Sequence, residues 1–329
     1  MHEISDNIAA LPDPLNRRST LMNNEHQHRL VALLNKLAPF EGYTLSALEG
    51  VRFMRANCPL PRIPVMYEPS IVIVCQGRKR GYLADESYVY DANHYLVLSV
   101  PLPFESETEA SEQEPMLAVA LRIDLQVAAD LVLALGKSRK DKMSTPAGIY
   151  STPMSDDMSD ALLRLLTALT VPDDAAILGP AIVKELLYRV LTGPQGGAVL
   201  ASLTQQSQFG KIGKALRKIH EHYNREIDVG TLASEAGMSV AAFHANFKAV
   251  TNTTPIQYLK STRLHKARLL MVQDGVSAAT ASNMVGYESN SQFSREFKRF
   301  FGRTPLQEAV EMKSALMLMQ AERPADYAM

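Results

Sequence analysis

Apolar positions along the chain follow two periods, and the switch between them marks out its parts. From Asn24 the segment EHQHRLVALLNKLAPF carries Leu30, Leu33, Leu34 and Leu37 at helical spacing and is stopped by Pro39, which predicts one amphipathic helix. Residues 43–123 change to short β-branched or aromatic runs, Val51–Met54, Val65–Gln76, Tyr82–Tyr90, Tyr95–Val100 and Leu117–Ile123, separated by Pro, Gly, Asp and Asn. Short strands with turn signals between them predict a small antiparallel sandwich or barrel. The acidic stretch at Glu105, Glu107, Glu109, Glu112 and Glu114 reads as a solvated loop. Beyond residue 125 the helical period returns in Leu125–Leu135, Met158–Leu169 and Ile177–Leu191, whose apolar stripes would close the sheet or pair with a second subunit. Residues 192–209, with Gly193-Pro194-Gln195-Gly196-Gly197 and then a polar tract, read as a linker.

The last third repeats itself. Phe243, Phe247, Lys248, Thr254 and Pro255 recur fifty residues later as Phe293, Phe297, Lys298, Thr304 and Pro305. In each copy the two Phe are four apart and so share one helix face. A Ser stands at each helix start, Ser239 and Ser289, where its hydroxyl can cap first-turn amides. A Gly precedes each Ser, and an apolar-periodic segment precedes each Gly. Short helix, Gly turn and anchored second helix is the pattern of a helix-turn-helix, here duplicated at 229–250 and 276–300. Thr254-Pro255 opens a connecting helix to about Val272, long enough to hold two reading heads roughly one DNA turn apart.

Charge supports that placement. The net charge is −1, yet residues 210–308 hold 14 Lys and Arg against 8 Asp and Glu, +6, which leaves −7 for the remainder. The basic third is where phosphates would be met. No apolar run reaches membrane-spanning length and the amino terminus lacks signal-peptide character, so the expected location is the cytoplasm, with no membrane partner. Two Cys in 329 residues fit a reducing compartment and give no zinc spacing.

The second copy, with Gly286-Tyr287, Ser289, Phe293-Ser294-Arg295, Phe297-Lys298 and Gly302–Pro305, resembles the AraC/XylS family of bacterial transcription regulators. The front half resembles that family's amino-terminal domain through Tyr67-Glu68-Pro69-Ser70, Gln76–Arg80, His94-Tyr95 and Ser99-Val100. The resemblance implies an α+β chain: a cupin-like barrel with helices that senses a small molecule, then an all-α DNA-binding domain. The expected division is a mobile amino terminus at 1–22, the sensing domain at 23–191, the linker, the DNA-binding domain at 210–308 and a tail at 309–329. Carried over by position, the residues reading bases are Asn290, Ser291, Gln292 and Arg295 in the second helix and Ala241, His244 and Ala245 in the first. The two alanines leave thymine methyls as their contacts. Lys248, Lys298, Arg299 and Arg303 are the expected phosphate or solvent contacts.

The expected function is therefore a ligand-responsive, sequence-specific transcription regulator, an activator by resemblance. Its expected partners are double-stranded DNA, an unknown small-molecule effector, RNA polymerase and a second copy of the chain. The alternatives are a constitutive DNA-binding regulator and a metal-dependent cupin enzyme. Metal catalysis needs several converging His and carboxylates, and between 43 and 150 the only His is His94; no catalysis, metal or cofactor is expected. His94 and Cys75 remain as effector-pocket candidates, His94 also reading as structural. Cys75 reads either as a buried small hydrophobe or as a thiol activated by Arg78-Lys79-Arg80, and that triplet itself reads as an exposed hairpin turn ahead of the alternative, an anionic ligand site.

Overall fold

In the computed structural model the described residues are 14–135, 148–194, 196–203 and 208–311. Helix α1 (Pro14–Leu37) leads into nine strands. These are β1 (Gly42–Leu45), β2 (Val51–Ala56), β3 (Leu60–Tyr67), β4 (Ser70–Gln76), β5 (Arg78–Leu83), β6 (Glu86–Asp91), β7 (His94–Leu98), β8 (Leu102–Glu109) and β9 (Met116–Arg122). Then come α2 (Leu125–Leu135), β10 (Ile149–Pro153), α3 (Asp156–Ala168), α4 (Pro172–Ile177), α5 (Gly179–Thr192) and α6 (Gly196–Leu203). The carboxy-terminal part is helical: α7 (Gln208–His222), α8 (Val229–Glu235), α9 (Val240–Thr251), α10 (Pro255–Gln273), α11 (Ala278–Met284) and α12 (Asn290–Phe301).

The strands form one antiparallel sheet in the order β1-β2-β9-β4-β7-β6-β5-β8-β3, with β10 also on β7. It curls into a half-barrel. Its edge strands β1 and β3 are not joined by a backbone ladder. Period-two alternation sorts the side chains. Ile71, Ile73, Cys75 and Val97 face a helical layer containing Leu34 of α1, Leu162 of α3 and Leu187 of α5. Val72, Val74, Leu96 and Leu98 face inward with Phe104 and Tyr90.

Several expectations change here. The run Val65–Gln76 is two strands, broken at Glu68-Pro69, because proline cannot donate to the ladder. The acidic stretch is not all loop: β8 alternates Leu102, Phe104, Ser106 and Thr108 inward with its glutamates outward. Two of its inward residues are polar, which hides the strand pattern. Arg78-Lys79-Arg80 lies in strand β5 rather than in a turn; the turn is made by Gly77, at φ 72°. Helix α1 begins at Pro14, ahead of the Asn24 start read from the leucines, and proline fits a first helical turn. Residues 1–13 of the expected mobile segment and 312–329 of the expected tail lie outside the described residues. The expected linker contains α6, whose Val199 is buried in the helix-covered core. There, burial outweighs the cost of two leading glycines in a helix.

Candidate nucleic-acid interface

The two copies of the repeat fold alike because the same side chains cap and anchor them. The hydroxyls of Ser239 and Ser289 accept hydrogen bonds from the amides of Ala242 and Gln292. Asp228 and Ser277 do the same for α8 and α11. Phe243 and Phe247 have ring centroids 5.6 Å apart, and Phe293 and Phe297 5.5 Å. All four rings are buried, as their four-residue spacing requires. Each recognition helix ends on a left-handed residue, Asn252 in α9 and Gly302 in α12, a conformation that satisfies the last carbonyls.

The intervening positions face outward. Asn290, Ser291, Gln292 and Arg295 are exposed on α12, while Ala241 and Ala245 are exposed and His244 half-buried on α9. The candidates on each helix thus share one solvent face. They differ in freedom: the Gln292 amide donates to Glu296 at 3.2 Å, whereas Arg295 has no side-chain partner among the described residues. Burial raises the Glu296 carboxyl, but hydrogen bonds from Lys260, Tyr287 and Gln292 outweigh it and leave the group below its ordinary value. Lys248, Lys298 and Arg299 are exposed at the ends of the same helices. Arg303 is engaged with Glu308 and Glu311.

The heads are locked to each other, a feature the repeat alone did not show. Arg263, in the middle of α10, donates from Nε to the Tyr223 carbonyl at 2.7 Å. It also donates through its two terminal nitrogens to Gly286 and Arg225 carbonyls at 2.9 Å each. Gly286 is the turn of the second unit and residues 223–225 precede the first. The contact is close enough that a Cβ on Gly286, itself at φ 83°, would sit 2.5 Å from the Asn224 oxygen. Helix α10 has 19 residues, or about 28 Å at 1.5 Å per residue.

The half-barrel rests on the same helix. The Tyr258 hydroxyl, fully buried, donates to the Pro101 carbonyl at 2.7 Å and meets His220 Nε2 at 2.7 Å. Burial pushes the His220 imidazole down to about 4, so it is neutral, and with the Tyr258 proton given to Pro101 the imidazole N–H is the donor in that pair. Arg268 reaches the Pro64 carbonyl of β3 at 3.4 Å and Glu308 at 3.5 Å. Gly148 lets α9 approach, since a Cβ there would lie 2.9 Å from the Val250 oxygen. A cavity of about 220 Å³ remains at this junction, between Ser99–Pro101 and α7.

Neither effector-pocket candidate lines the barrel interior. Cys75 points into the helix-covered layer, and burial raises its thiol to about 12. Its burial argues against the reactive-thiol reading, since desolvation disfavours the thiolate, and Arg78 and Arg80 pair instead with Asp91 and Glu109. His94 is half-buried at the start of β7, with Nδ1 3.4 Å from Asp91. Among the described residues no three His, Cys, Asp or Glu gather as a metal site, and no helix is long and apolar enough to cross a membrane.

Two substitutions separate base reading from phosphate contact. Arg295→Ala is expected to cost about 1–3 kcal/mol at a cognate site and to relax preference at one base pair; equal loss on every sequence would reduce it to a backbone contact. Lys298→Ala is expected to weaken binding uniformly and flatten the salt dependence. Titrations across a salt series distinguish the two.

Residues 47–198 match the family described as the AraC-type transcriptional regulator N-terminus, and residues 232–308 match a helix-turn-helix domain. The regulator AlkR of Acinetobacter baylyi is 33% identical over 95 residues, covering 29% of this chain and 31% of AlkR. The virulence regulon transcriptional activator VirF of Yersinia enterocolitica is 25% identical over 174 residues, 53% of this chain and 63% of VirF. The alignments thus span about a third to two thirds of these relatives. Among solved structures, ToxT of Vibrio cholerae superposes with a TM-score of 0.57 at 12% identity, covering 79% of this chain and 99% of ToxT, a likeness of fold. With the amino-terminal match on the half-barrel and the helix-turn-helix match on the duplicated unit, the chain belongs to the AraC family of DNA-binding transcription regulators.

Proposed function

We propose that the protein is a ligand-responsive, sequence-specific activator that reads two successive major grooves with α12 and α9. The observation that carries this reading is the position of α10. One helix joins both reading heads, and strands β3 and β8 of the half-barrel lie against it. A ligand that changes the barrel can therefore bias how the domains sit without touching DNA, provided it binds the two arrangements with different affinity. Asn290, Ser291, Gln292 and Arg295, with Ala241, His244 and Ala245, are the proposed base contacts, and Lys248, Lys298 and Arg299 the proposed phosphate contacts. Arg303 joins them only if it leaves its carboxylates. The activator role follows from relatives named as activators, such as VirF. Ligand binding follows the solved ToxT structure with an unsaturated fatty acid bound. RNA polymerase, a second copy of the chain and a cytoplasmic location complete the proposal.

Selection of bound sites from random duplex DNA, with the full chain and with residues 205–315, tests it. The expected motif spans two major grooves and is repeated for the full chain. Enrichment of a single groove's width would make α9 a backbone clamp, and none at all would remove the proposal. Tyr258→Phe tests the coupling. It deprives both His220 and the Pro101 carbonyl of a partner and is expected to cost about 1–2 kcal/mol in a denaturant melt and to shift DNA affinity. An unchanged affinity in a destabilised variant would make the contact purely structural.

A further inference from the structure

One carboxylate beside the reading face of α12 gathers more donors than folding of the unit requires. Glu296 stands one helical turn beyond Gln292, and its side chain is 13% exposed. Lys260 of α10 donates to its Oε1 at 2.8 Å, and the Tyr287 hydroxyl donates to its Oε2 at 2.9 Å. Those two groups fix the carboxylate, and the exposed Gln292 amide donates to the same Oε1 at 3.2 Å. The first copy of the repeat does without this arrangement. Fifty residues earlier stand Ala242 and Asn246, and the Asn246 amide donates instead to the Ala242 carbonyl at 2.8 Å. Since α9 is capped and anchored on its two phenylalanines in the same way as α12, the unit folds without an acid at this place.

The acid decides what Gln292 can offer a base. An ionised carboxylate only accepts hydrogen bonds, so the neighbouring amide must turn its nitrogen, not its oxygen, towards Glu296. One of the two amide protons is then taken up. Gln292 is left with one N–H donor and with its oxygen as acceptor. That pair matches adenine, which presents N7 as an acceptor and N6–H as a donor in the major groove. It fails on guanine, whose O6 and N7 both accept and together call for both amide protons. We infer that Glu296 is a positioning residue that makes Gln292 a reader of adenine and turns it away from guanine. This deepens the DNA reading proposed above and rests on Gln292 being one of its base contacts.

The test uses the full chain and four duplexes that carry a selected site and differ only at the base pair read by Gln292, located as the pair whose preference flattens in Gln292→Ala. Wild type is expected to favour an A·T pair over a G·C pair there by about tenfold. Glu296→Gln keeps the shape of the acid but can give its own amide protons to the Gln292 oxygen, which frees both Gln292 protons for guanine. The ratio is expected to fall by about threefold or more, whereas the same change in the Gln292→Ala background leaves it unmoved. Because the readout is a ratio between sites, a smaller folded fraction does not alter it; should Glu296→Gln not fold, Glu296→Asn copies the residue that α9 already carries. An equal loss on all four duplexes would reduce Glu296 to a structural role and overturn the assignment. A wild-type preference for a G·C pair overturns it too, with no variant needed. Failure of the wider reading would look different. Gln292→Ala without effect at any base pair removes Gln292 as a base contact; an effect of Gln292→Ala with none of Glu296→Gln keeps the contact and removes only the role of Glu296.

Discussion

Phe297→Ala is expected to unfold the second helix-turn-helix. The ring is fully buried and lies 4.5 Å, centroid to centroid, from Phe301 and 5.5 Å from Phe293, so truncation leaves a cavity no neighbour can fill. Phe→Ala changes at such sites cost about 3–5 kcal/mol, a large share of a small domain's stability. A thermal melt of the full chain should show an early transition assigned to this unit, with sequence-selective binding lost. A variant that keeps its stability but changes its preferred site would instead put Phe297 in contact with DNA.

Arg263→Ala comes next in size, and its effect is of another kind. Three carbonyls, of Tyr223, Arg225 and Gly286, lose a charged donor at once. Hydrogen bonds to charged groups are worth about 1.5–3 kcal/mol each, and part is recovered because water reaches the Arg225 side, so a net loss of about 2–4 kcal/mol is expected. The sharper readout is the DNA site. With the brace gone, each unit should still fold and bind its own groove, while tolerance to inserted base pairs between the two half-motifs increases. Unchanged spacing tolerance would mean that packing around Gly286 alone fixes the heads. Arg263→Lys should rescue little, since a single ammonium cannot serve three carbonyls from one fork.

Much of the DNA-binding domain was legible because its anchors are strongly apolar and its caps short and local. Phe243, Phe247, Phe293 and Phe297, the two Ser caps and the Gly turns each follow from spacing alone. The half-barrel was legible as a class but not in detail. Strand β8 was hidden because Ser106 and Thr108 occupy inward positions where apolar residues are the usual signal, and Lys79 was misplaced because three consecutive basic residues look like a turn until alternation separates them. The brace and the domain contact were illegible for a different reason. Arg263, Arg268 and Tyr258 all bond to backbone carbonyls, and a carbonyl has no letter in a sequence.

The edge position of β3 has one more implication. It is hydrogen-bonded on one side only, to β8, and α10 and α12 lie against it. Pro61 and Pro64 blunt that edge, but the remaining unpaired amides form a template for a foreign strand once uncovered. The contact from α10 and α12 therefore also helps to shield this edge from a foreign strand. A barrel cut free of its helices would lose its solubility guard along with its output.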